Sequence, residues 1–82
     1  MTKKEQEKYI IEACKRLEKA NKGLKCDYEF NKVDNEWCIM YSEDIETEKF
    51  LLLTGKIRKE LKELNILVAI FADEVHFEKV LV

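Results

Sequence analysis

Between Leu24 and Tyr41 apolar and polar side chains take turns, and this alternation restricts the fold more than any other feature. Leu24, Cys26, Tyr28 and Phe30 alternate with Lys25, Asp27, Glu29 and Asn31; Trp37, Ile39 and Tyr41 alternate with Cys38, Met40 and Ser42. A period of two belongs to a strand with one covered face. Val33-Asp34-Asn35-Glu36 lies between the two runs, and Asp and Asn are the non-glycine residues that best tolerate left-handed backbone angles. The chain therefore predicts a hairpin of strands 24–33 and 36–42 with Asp34-Asn35 at its tip. That register sets Phe30 opposite Ile39, Tyr28 opposite Tyr41, and Lys32 opposite Trp37. The large aromatics share one face, and Asp27, Glu29 and Glu36 share the other. A slip of one residue would scatter both sets.

Two amphipathic helices are expected to cover the aromatic face. Over residues 2–22, Thr2 and Glu5 have the spacing of a capping box. Ile10, Ala13, Cys14, Leu17, Ala20 and Leu24 recur as one apolar stripe. Lys19 and Lys22 suit the negative end of the helix dipole, and Gly23 is placed to stop the helix in a left-handed conformation. A second helix over 45–64 follows from Phe50, Leu53, Thr54, Ile57, Leu61 and Leu64, with Asp44 or Thr47 as its cap. Two features oppose it. Leu51 and Leu52 fall off the stripe, and Gly55 inside a helix costs about 1 kcal/mol relative to Ala. The alternative is a strand over 50–53, a turn at Thr54-Gly55 and a helix from Lys56; the single helix is preferred.

Residues 66–72 are apolar on both faces, the pattern of a strand covered on both sides. Residues 75–82 read as a last strand, with a helical tail as the competing reading. The expected fold is a single α+β domain over 1–82, ordered α-β-β-α-β-β. It is a two-layer sandwich with both helices on one face of a small antiparallel or mixed sheet. No proline and only Gly23 and Gly55 imply short loops.

The net charge of −2 conceals a division along the chain. Residues 1–25 carry +4, residues 26–48 carry −7, residues 49–64 carry +3 and residues 65–82 carry −2. The helices are basic, and the hairpin with its exit loop is acidic. Three well-spaced cysteines do not resemble a disulfide framework, and the hairpin puts Cys26 and Cys38 on opposite faces. A reducing, cytoplasmic location is the expectation. The N-terminus lacks a signal peptide's apolar core, and Ile66–Ala72 is too short to span a membrane.

No constellation for chemistry emerges. Cys14, Cys26, Cys38 and His76 match zinc ligands by type, but no close cysteine pair exists and Cys14 sits on a core stripe. His76 is the one histidine, without a nucleophile motif around it, and a glycine-rich phosphate loop is missing. Neither a metal nor a cofactor nor enzymatic activity is expected. Lys3, Lys4, Lys8, Lys15, Arg16, Lys19, Lys22 and Lys25, with Lys56, Arg58, Lys59 and Lys62, could meet a nucleic acid. Interleaved Glu5, Glu7, Glu12, Glu18, Glu60 and Glu63 favour the plainer reading of solvated helices.

The expected function is therefore non-catalytic binding of another protein, in the manner of a small inhibitor or accessory factor of mobile elements. A nucleic-acid-binding module is the alternative, and a small enzyme a weaker one. Two surfaces are candidates. The acidic one comprises Asp27, Glu29 and Glu36 on the sheet with Glu43, Asp44, Glu46 and Glu48 in the exit loop. The apolar one comprises Leu67, Ala69 and Phe71, extended by Cys38 and Met40. It predicts a homodimer by face stacking or edge pairing, because so small a chain rarely leaves several hundred Å² of contiguous apolar surface in water.

Overall fold

Thr2 begins the first helix as its spacing requires. In the computed structural model, which describes residues 1–80, Thr2 Oγ1 accepts from the Glu5 N–H at 3.2 Å. The Glu5 carboxylate reaches back to the Thr2 N–H. The helix, α1, spans Lys3–Ala20 and buries Ile10, Ala13, Cys14 and Leu17. Gly23 takes φ +89 in the turn beyond it, where a side chain would be strained.

The hairpin strands are β1, Cys26–Asn31, and β2, Glu36–Tyr41. Their pairing differs from the expected register by two residues: Phe30 faces Trp37, Tyr28 faces Ile39 and Cys26 faces Tyr41. The turn explains the shift. Asn31 Oδ1 accepts from the Val33 and Asp34 N–H groups at 3.0 and 3.3 Å, and Asn35 has φ +52. This side-chain turn draws Lys32 and Val33 into the loop, so neither extends the ladder. A shift of two preserves the face of every side chain, and the aromatic face survives the correction.

The second helix, α2, is continuous over Glu48–Glu63, so a strand over 50–53 does not form. Thr47 caps it by accepting from the Phe50 N–H at 3.3 Å. Thr54 sits on the buried stripe with its hydroxyl donating to the Leu51 carbonyl at 2.9 Å, which satisfies a polar group in the core. The strand β3, Val68–Ala72, then joins β2 in parallel, giving the mixed order β1-β2-β3.

The register lines up Phe30, Trp37 and Val68, then Tyr28, Ile39 and Ile70, then Cys26, Tyr41 and Ala72. These nine side chains form the inner face. They share one core with Ile10 and Leu17 of α1 and Phe50, Ile57 and Leu61 of α2. Trp37 anchors it. Its ring meets Phe30 edge-on at 5.2 Å between centroids, and its indole N–H donates to Gln6 Oε1 at 2.9 Å. Lys3 Nζ lies 3.8 Å from the Phe30 ring centroid, closing the far side of the cluster.

The expected last strand is instead a helix, α3, Glu74–Val80; residues 81 and 82 of that expectation lie outside the described residues. Asp73 decides the matter. Its N–H makes the last ladder bond to the Tyr41 carbonyl at 3.0 Å, and its carboxylate accepts from the His76 N–H at 3.0 Å. The second contact is an N-cap. α3 leaves β3 at one side of the sheet, yet His76 reaches Asp27 on β1. The first turn of α3 is thereby tied to β1. The order is α-β-β-α-β-α, an α+β fold of three helices and a three-stranded sheet.

Candidate functional site: the open edge of the sheet

A three-stranded sheet has two edges, and the backbone bonds show which groups each one leaves unpaired. Trp37 N–H donates to the Leu67 carbonyl and Asp73 N–H to the Tyr41 carbonyl. In a parallel ladder this makes Leu67, Ala69, Phe71 and Asp73 the residues that bond to β2. Val68, Ile70 and Ala72 consequently turn their N–H and C=O groups away from the sheet. On the other side Ser42 N–H donates to the Lys25 carbonyl, so Lys25, Asp27, Glu29 and Asn31 bond to β2. Cys26, Tyr28 and Phe30 turn theirs outward.

The two edges are treated differently. On β1, the Cys26 N–H donates to Glu18 Oε2 at 3.3 Å and the Tyr28 N–H to Asp27 Oδ1 at 2.8 Å. Two outward donors are thus occupied by carboxylates of the same chain. On β3, no side chain among the described residues accepts from Val68, Ile70 or Ala72. No charged residue stands between Ile66 and Ala72, so this edge lacks the charged side chains that commonly deter strand pairing.

The expected apolar patch is partly there. Leu67 is 55% exposed and Phe71 39%, and Ala69 is half-buried between them. Cys38 and Met40 do not extend it, since both are buried. The last segment, expected as a strand, is α3 instead. Among the described residues no strand edge runs along 75–80.

The expected acidic surface divides. Glu43, Asp44, Glu46 and Glu48 are all exposed along the exit loop into α2, and Glu29 is exposed on β1. Glu36 is half-buried. Asp27 is engaged twice: Oδ1 holds the Tyr28 N–H, and Oδ2 lies 2.7 Å from His76 Nε2, whose N–H donates to it. This pair clamps α3 to the far edge of the sheet. Among the described residues no hydroxyl or thiol hydrogen-bonds the imidazole.

The cysteines are free, and the sheet separates Cys38 from the other two. Cys14 and Cys26 belong to the inner core, whereas Cys38 and His76 lie toward the outer side. Burial pushes the Cys14 and Cys26 thiols up to about 12, with neighbouring negative charge adding to it. Such thiols stay protonated and unreactive at neutral pH. Burial, then Glu36 and Glu29, also raises the Cys38 thiol. No helix among the described residues is long and apolar enough to cross a membrane.

What the sequence reading missed is the backbone. It named the side chains Leu67, Ala69 and Phe71, while the unpaired groups belong to the residues between them. The uncharged run from Ile66 to Ala72 was the available signal. Comparison with protein families, curated proteins and solved structures finds no match for this chain.

Proposed function

We propose that this chain is a non-catalytic protein that acts by binding other protein chains, and that the free edge of β3 is its pairing surface. The observation behind this reading is the contrast between an edge whose donors are occupied and one whose donors are not. A second copy fits the open edge directly. An antiparallel two-fold centred on Ile70 puts Val68 opposite Ala72 of the mate and Ala69 opposite its Phe71. Small side chains then meet large ones, no charge is buried, and the outward N–H and C=O groups pair as in any antiparallel ladder. Leu67 and Phe71 lose their exposure on the outer face.

The edge is only five residues long. It falls short of the roughly 1,200 Å² of a standard stable interface, so the expected dissociation constant is on the order of 100 µM. Such a weak homodimer suits an inhibitor or accessory factor that exchanges its own copy for a strand of its target. Sedimentation from micromolar to millimolar protein tests it. The weight-average mass should rise with concentration, and Phe71→Lys should hold the chain at 9.8 kDa. A wild-type chain that stays monomeric at millimolar concentration removes the self-pairing reading.

The exit loop supports a second reading. Glu43, Asp44, Glu46 and Glu48 are all exposed within one short segment, and complementary charge would speed association with a basic protein surface. Reversing the four charges should slow binding to such a partner and leave self-association unchanged.

A further inference from the structure

The C-terminal turns of α1 and the N-terminal turns of α2 leave a groove of about 640 Å³ between them. Its apolar part consists of Phe50, Leu52, Leu53 and Ala20. Every charged side chain lining it is a cation: Arg16, Lys19, Lys49 and Lys56. Glu60 holds Arg16, and that bond keeps the Glu60 carboxyl below its ordinary range. The three lysines form no ion pair among the described residues. Leu52 is 67% exposed, and Leu51 beside it is 52% exposed. A lone exposed leucine is ordinary. Here Leu52 stands at a groove already floored by Phe50 and Leu53, so apolar side chains adjoin one another among four cations.

We infer that this groove receives an acidic amphipathic helix from a partner protein. The apolar stripe of such a helix would bury Leu52 and Leu53, and carboxylates flanking the stripe would meet Lys19, Lys49 and Lys56. Both features of the groove are then used. A nucleic-acid backbone would engage the lysines and leave the leucines in water. A long-chain carboxylate would fill the floor and neutralise one lysine of three. The groove lies on the helix layer, away from the edge of β3, so the two surfaces can be disabled separately.

Two synthetic helical peptides of about four turns provide the test. One carries glutamates beside a leucine stripe, and the other has lysine at each glutamate. Each is titrated into the isotope-labelled full chain and followed by amide shifts and fluorescence anisotropy. The acidic peptide should shift the amides of Leu52, Leu53 and Lys56, and the basic one should not. The double variant Lys49→Glu/Lys56→Glu and the single variant Leu52→Asp should each weaken binding about tenfold. Both should keep the wild-type circular dichroism and self-association, because all three positions are exposed. Equal affinity for the two peptides, shifts confined to other residues, or no shift at millimolar peptide overturns the inference. So does a stronger response of the same amides to single-stranded RNA or to a fatty acid.

Discussion

β1 and β3 flank the same central strand, and each presents three residues whose backbone groups point out of the sheet. On β1, Glu18 and Asp27 occupy two of the outward donors. The strand is also fastened from within, where Tyr28 and Phe30 pack on Trp37 at 6.1 and 5.2 Å between ring centroids. On β3 the inner side chains are smaller, Phe71 is exposed on the outer side, and no carboxylate among the described residues accepts from the outward donors. Edge protection is thus a local matter of which acidic side chain reaches which amide. One sheet of three strands can carry a closed border and an open one.

The largest effect should come from loosening the closed border from inside. Trp37 is 5% exposed, packs on both aromatics of β1 and bonds α1 through Gln6. Trp37→Ala should cost about 3–5 kcal/mol in denaturant unfolding. A loss under about 1 kcal/mol would mean that β1 is held by its ladder alone.

Asp27→Ala comes next. It frees the Tyr28 N–H and unclamps His76 together, for about 1–3 kcal/mol. Hydrogen exchange should quicken at Tyr28 and through α3. Unchanged exchange in α3 would show that the His76 contact does not hold the helix.

Glu18→Ala is a finer probe of the comparison. It removes the acceptor of the Cys26 N–H at a cost of about 0.5–1.5 kcal/mol. It also gives β1 an outward donor resembling those of β3, so self-association should rise. If sedimentation is unmoved, the carboxylate is not what keeps that edge closed.

The last effect is absent at neutral pH and emerges only in alkali. Cys14 and Cys26 are raised from an ordinary 9.0 to about 12 in the folded chain. The unfolded chain releases their protons first as pH rises, so stability is full below about pH 9 and declines above it. Cys14→Ser/Cys26→Ser should flatten that decline. A decline identical to wild type would assign it to other groups.

Much of this could be read from the residues alone. The capping box at Thr2 and Glu5 and the aromatic face of the hairpin follow from spacing, and spacing is what helices and strands impose. The register did not follow, because a period of two is unchanged by a shift of two. Asn31, acting through its side chain on its own turn, made the choice. α3 was misread for a similar reason. Val75, Phe77 and the residues after them fit a strand by type, and Asp73 at capping distance from His76 fits a helix. The cap from Asp73 decides for the helix, and the contact with Asp27, distant in sequence, adds to it. The patch was drawn too wide as well, since Cys38 and Met40 are buried. The off-stripe Leu51 and Leu52 counted against α2 as a helix, although they mark where α2 faces outward.

Asp73 has a consequence for the whole molecule. Its amide ends β3, and its carboxylate begins α3. Strand and helix thus share a joint and cannot be displaced independently. From that joint α3 runs to His76, His76 grips Asp27, and Asp27 holds the amide of Tyr28. The linkage is mechanical and in series, and it crosses the sheet from one border to the other. Breaking the His76–Asp27 contact cuts this train at its midpoint, and amide exchange at the two borders should then respond independently.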